Sequence, residues 1–130
     1  MENKDYTVEI LEIIRSNTSP GIMRSRLEDY HANDLAEVFP QLKVSERRKI
    51  CRILDLDMLS DIFEHIDEQE AAEYLDEMDI KKAAAILSAM ETDAVVDVLQ
   101  MIPKEKKNLL IELMDDDARK DMAIIASFDE

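Results

Sequence analysis

Apolar residues return along this chain with a period of twelve. A frame that starts at His31 and restarts at Lys43, Asp55, Asp67, Asp79, Glu91, Pro103 and Asp115 puts Val38, Ile50, Ile62, Tyr74, Ile86, Val98, Leu110 and Met122 at its eighth position. The ninth positions are Phe39, Cys51, Phe63, Leu75, Leu87, Leu99, Ile111 and Ala123. The twelfth are Leu42, Leu54, Ile66, Met78, Met90, Ile102 and Met114. All twenty-three are apolar, counting Tyr, Cys and Ala, in a chain that is 46% apolar. For a fixed frame, chance would give that outcome about once in fifty million trials. Position five is apolar in five units, at Leu35, Leu59, Ala71, Ala83 and Val95. Steps of three, one and three between positions five, eight, nine and twelve set these side chains on one stripe of an α-helix.

The polar letters mark where each helix begins. The first position is Asp or Glu in five units, where a carboxylate accepts orphan amide hydrogens and meets the positive helix end. Asp67 with Glu70 has the form of a capping box, and Pro103 suits a first turn, where its missing N–H is not needed. Each unit therefore predicts about nine or ten residues of helix followed by a tight turn. One such helix is unstable alone, so the units must stack and bury a shared stripe. The predicted fold is all-α, a superhelix (solenoid) of short helices. Upstream of the frame, Val8, Ile10, Leu11, Ile13 and Ile14 predict a first helix ending at the turn-rich Ser16-Asn17-Thr18-Ser19-Pro20-Gly21. Ser19 as cap and Pro20 as first residue open a second, carrying Ile22, Met23 and Leu27. No linker or shift in composition divides the chain, which predicts a single domain over residues 1–130.

Composition narrows the chemistry. One Gly and three Pro agree with helix, and the single Gly excludes a glycine-rich phosphate loop. Thirty-one acids against sixteen bases give a formal charge of −15, a field that repels nucleic acid and anionic lipid and attracts cations or basic partners. The lone Cys51 allows no internal disulfide; at a ninth position it reads as a core thiol rather than a nucleophile. His31 at a helix start and His65 near a helix end have no Cys or His at zinc spacing. The first apolar stretch, Val8 to Ile14, carries Glu9 and Glu12 and is not a signal peptide. Uncharged runs such as Ala83 to Met90 reach eight residues, far short of the roughly twenty that span a bilayer. The expectation is a non-enzyme that inserts into no membrane.

Carboxylates are the one abundant functional group. Asp57 and Asp61, Asp93 and Asp97, and Asp117 and Asp121 are each four apart, so each pair projects from one helical face, where like charges repel. A divalent cation relieves that repulsion, and hard oxygen donors suit Mg²⁺ or Ca²⁺. With so many acids such pairs also arise as plain solvated faces, and spacing alone leaves both readings open. The basic cluster Arg47-Arg48-Lys49 with Arg52 reads as a solvated face balancing nearby acid.

The segment HANDLAEVFPQL from His31 to Leu42 resembles the opening of the cytoplasmic N-terminal domain of MgtE-type magnesium transporters. DEQEAAEYLDEM from Asp67 to Met78 and ETDAVVDVLQMI from Glu91 to Ile102 resemble its later units. The likeness runs over about residues 20–130. It implies a superhelix on the cytoplasmic side of the cell membrane, followed in the family by CBS domains, a connecting helix and a membrane pore in a homodimer. The final residues Ala126 to Glu130 resemble the start of the acidic junction leading into the CBS domains, which implies the first part of a longer protein, although a stand-alone homologue also fits. By the same resemblance the domain senses Mg²⁺: the cation bridges its acids to those of the CBS domains, and the docked form favours the closed pore. The family's magnesium-contacting acids fall on Asp61, Asp93 and Asp97; Asp61 stands where the family carries the longer Glu. Binding by this chain alone is expected to be weak, because the CBS region completes the site. The alternative is a helical protein-interaction scaffold with no metal role, since the flagellar motor switch protein FliG contains related short-helix superhelices.

Overall fold

The computed structural model describes residues 5–128, with side chains described as far as residue 123. Among these residues the ordered elements are α1 (Thr7–Arg15), α2 (Pro20–Leu27), α3 (Ala32–Val38) continued by a 3₁₀ turn (Phe39–Gln41), α4 (Val44–Ile53), α5 (Leu56–Glu64), α6 (Glu68–Glu77), α7 (Ile80–Ala89), α8 (Thr92–Leu99), α9 (Lys104–Leu113) and α10 (Asp116–Phe128). The fold is all-α, as the twelve-residue period requires.

The repeat frame and the helix boundaries coincide. His31, Lys43, Asp55, Asp67, Asp79, Glu91 and Pro103, each the first residue of a unit, are the N-cap residues of α3 to α9, all with extended backbone at ψ between 135° and 169°. Leu42, Leu54, Met78, Met90 and Met114, at twelfth positions, are also extended. At Leu42–Lys43, Leu54–Asp55, Met78–Asp79 and Met90–Glu91 two extended residues make the whole connection, the first buried or half-buried and the second the N-cap residue of the following helix.

Capping varies with the side chain available. Asp55 accepts from the Met58 amide at 2.9 Å, and Asp79 accepts from Lys81 and Lys82 at 3.1 and 3.4 Å. Asp67 bonds the Gln69 amide at 3.2 Å, one residue short of the capping box expected with Glu70. At α4 the reciprocal bond forms, Glu46 accepting from the Lys43 amide at 2.9 Å. Ser19 caps α2 through the Ile22 amide at 3.4 Å, with Pro20 in the first turn. Pro103 sits one residue earlier than expected, as the cap of α9 and not within its first turn.

The shortest helix of the repeat has a local cause. α3 stops at Val38, and Phe39–Gln41 tighten into a 3₁₀ turn, because Pro40 has no N–H to donate to the helix.

The stripe is the core. Every eighth position is buried, as are six of the ninth positions, five of the twelfth and all five apolar fifth positions. Ile111, Met78 and Ile102 are half-buried and Ala123 is exposed. Cys51 lies in the core at 4% exposure. Position six was not anticipated: Ala36, Ser60, Ala72 and Ala84 are buried there. Ser60 resolves its polarity by donating to the Asp57 carbonyl at 2.9 Å.

Two compact units divide the chain, Met1–His65 and Ile66–Glu130. In the first, α3 packs between α1 and α5, and α4 packs on α2 and α1. In the second, α8 packs between α6 and α10 while α9 packs on α7. Within both, helices two apart in sequence pack together, the arrangement of a helical solenoid.

Candidate functional site

The carboxylates divide by repeat position. Three at position one, Asp55, Asp67 and Asp79, cap helices through their side chains. Several carboxylates hold bases: Glu46 takes Arg15 at 2.9 Å, Asp55, besides capping, takes Arg24 at 3.2 Å, Asp76 pairs with Lys106, and Asp116 with Arg119. Asp57 and Asp61, Asp93 and Asp97, and Asp117 and Asp121 stand at positions three and seven of their units, and all six are exposed.

Asp93 and Asp97 lie on α8, opposite its buried Val95, Val98 and Leu99. Among the described residues neither side chain has a hydrogen bond or ion pair. The α-helix brings the two carboxylates to one face, about 5–6 Å apart at Cβ. Asp61 lies in the other unit, on α5 beside Asp57, and its backbone carbonyl accepts from the His65 ring Nδ1 at 2.8 Å. His65 thus finishes α5, and His31 is the cap residue of α3 without a side-chain cap bond.

Packing adds something the linear spacing did not reveal. Because α8 packs against α10, Asp117 and Asp121 stand on the neighbouring helix at the same repeat positions as Asp93 and Asp97. Glu73 occupies position seven of α6, on the other side of α8, and is exposed. Comparing positions three and seven across alternate units would have exposed this. Among the described residues no group of three or more His, Cys, Asp or Glu side chains could hold a metal ion. The donor chemistry of Asp93 and Asp97 nevertheless fits Mg²⁺, which commonly takes one or two carboxylates and keeps several waters.

The basic cluster departs from its expected role. Arg47 and Lys49 are half-buried. The Arg47 guanidinium donates to the carbonyls of Phe39 and Leu42, at 3.2 Å to the former, and so closes the end of the 3₁₀ turn. Lys49 donates to the Ile14 carbonyl at 3.2 Å, finishing α1. Only Arg48 and Arg52 are exposed. No described helix is long and apolar enough to cross a membrane.

Comparison with known proteins agrees with this architecture. A family model described as the MgtE intracellular N domain matches residues 30–130. Among solved structures, the soluble part of a magnesium transporter is similar at a TM-score of 0.81 and 26% identity, over 90% of this chain and 46% of that one. The cytosolic domain of the Mg²⁺ channel MgtE in complex with ATP is similar at 0.76 and 25% identity, over 90% of this chain and 48% of that one. This chain thus spans about half the length of those it resembles. No curated protein matches it. With the matched region covering α3 to α10, the chain belongs to the MgtE intracellular N domain family.

Proposed function

We propose that this chain is the magnesium-sensing regulatory domain of a magnesium transporter, acting as one domain over residues 1–130 on the cytoplasmic side of the membrane. Asp61, Asp93 and Asp97 share Mg²⁺ with carboxylates of CBS domains in the same transporter, itself a membrane homodimer. Cation binding draws the acidic surfaces together and favours the closed pore; without it their repulsion separates them. A ligand shifts such an equilibrium only by its preference for one state, and a cation held between two partners exists only in the docked state. The observation that carries this reading is the unbonded, exposed Asp93–Asp97 pair on α8 in a chain of the MgtE intracellular N domain family. Two carboxylates can hold Mg²⁺ only weakly, which suits a sensor whose site a partner completes.

The test is a Mg²⁺ titration followed by backbone amide NMR, with K⁺ at matched ionic strength as control. Saturable shifts centred on Asp61, Asp93 and Asp97 are expected, with those on α8 lost in Asp93→Asn/Asp97→Asn. Shifts that merely follow ionic strength, repeated when CBS domains are attached, would leave the scaffold reading in its place. In a full-length transporter the same double substitution raises the Mg²⁺ concentration needed for closure, and unchanged gating would remove these two residues from the site.

A further inference from the structure

A groove of about 490 Å³ opens on the first unit, lined by Pro20, Gly21, Arg24, Lys49, Arg52 and Ile53. In a chain with nearly twice as many acids as bases, three of its six lining residues are cations and none is an anion. We propose that this groove binds a soluble phosphate-bearing anion, an activity separate from the carboxylates that read Mg²⁺.

Each lining group suits such a ligand. Arg52 is exposed and, among the described residues, has no hydrogen bond or ion pair, so its guanidinium is free to meet a phosphoryl group in bidentate fashion. Arg24 is held at the rim by Asp55 at 3.2 Å and Glu28 at 3.8 Å; these carboxylates fix it while leaving other guanidinium N–H groups for the groove. Lys49 donates to the Ile14 carbonyl, and an ammonium has three donors. The chain's only glycine supplies the fourth element. Gly21 lies in the first turn of α2, and a Cβ built there would meet nothing within 4 Å. Neither packing nor a left-handed backbone requires glycine at this place, yet glycine weakens a helix relative to alanine. Its effect on the groove is to leave the backbone open to close approach, beside an amide with no intrahelical acceptor. The charge of −15 opposes adhesion to an anionic bilayer, whereas a compact anion needs only the local field. That selects a soluble source over a lipid headgroup.

The experiment is a pyrophosphate titration of the whole chain without divalent cations, read by backbone amide NMR against sodium chloride at matched ionic strength. Saturable shifts at Gly21, Arg24, Lys49 and Arg52 are expected. Arg52→Gln, an exposed substitution that leaves the fold intact, weakens binding about tenfold, as loss of one charge-assisted contact does. Gly21→Ala keeps or raises the melting temperature and also weakens binding. Shifts that track ionic strength, or an affinity unchanged from the parent in both variants, overturn the proposal. Co-sedimentation with phosphatidylglycerol vesicles separates the sources: the chain stays in the supernatant if the ligand is soluble. Pelleting that depends on Arg52, without a pyrophosphate response, replaces the soluble anion with a membrane headgroup and overturns the proposal as stated.

Discussion

Aromatic edges close the core of residues 1–65, whereas alanines close that of residues 66–130. In the first unit Phe39 meets Phe63 edge-on in the core at 5.8 Å and 80°, and at its half-buried margin Tyr6 meets Tyr30 at 5.4 Å and 70°. In the second, Ala71, Ala72, Ala83 and Ala84 are buried at positions five and six of consecutive helices. The same stripe thus admits a bulky solution and a small-residue solution, since close packing constrains summed volume rather than any one side chain. Charge differs too. Residues 1–65 carry thirteen acids and nine bases, while residues 66–130 carry eighteen and seven. In the first unit Arg47 and Lys49 finish backbone ends and Arg15 holds Glu46. In the second, acids outnumber bases by more than two to one. The repeat fixes the inside of both units and leaves the outside free to diverge, so function is to be sought at positions three and seven.

The sharpest way to break this comparison is to exchange volumes. Phe63→Ala removes a ring that is 1% exposed and in contact with Phe39, and should cost about 3–5 kcal/mol. Ala84→Leu adds volume at a site 1% exposed and should cost about 1–3 kcal/mol through overpacking. Urea unfolding followed by circular dichroism measures both. A neutral Ala84→Leu would mean that the alanine-lined core has slack, and that the two packing solutions differ less than their side chains suggest.

The fold was legible because one physical demand, burial of a stripe, repeats eight times with the same offsets. Buried small residues at position six were not, since Ala72 or Ala84 looks the same in sequence whether it faces a neighbour or water. The backbone roles of Arg47 and Lys49 were illegible for another reason. Their acceptors are carbonyls of Phe39, Leu42 and Ile14, groups that every residue possesses and that only the fold brings into reach. The Asp93–Asp97 face could be read from spacing alone. The Asp117–Asp121 pair on α10 could be read the same way, but its place beside α8 follows only once helices two apart pack together.

Caps sharpen the comparison at smaller scale. Asp79 in the second unit accepts two amide hydrogens with one oxygen, so Asp79→Ala should cost about 1 kcal/mol. His31 occupies the same repeat position in the first unit with no side-chain cap bond, and His31→Ala should stay within about 0.5 kcal/mol of zero. Equal losses in thermal unfolding would show that the first position acts through its extended backbone and not through its carboxylate.

The smallest effect concerns what the first unit does with an acid. Glu46 accepts from Arg15 through both carboxylate oxygens, at 2.9 and 3.3 Å, and from the Lys43 amide at 2.9 Å. The Arg15 bond, then the Lys43 amide, holds its carboxyl below the usual glutamate range near 4.5. A carboxyl whose folded pKa is depressed stabilises the fold above its unfolded pKa, and that contribution fades as pH falls through the folded value. Glu46→Gln should therefore be less stable than the parent at neutral pH, with the gap narrowing as pH falls below about 4.5. Arg15 is exposed and Glu46 only half-buried, so solvent screens the pair, and the gap at neutral pH is small and shrinks further in salt. A constant gap across that range would assign Glu46 a packing role alone. It would also remove the ground for contrasting an acid fixed within its own unit with the unbonded pair on α8.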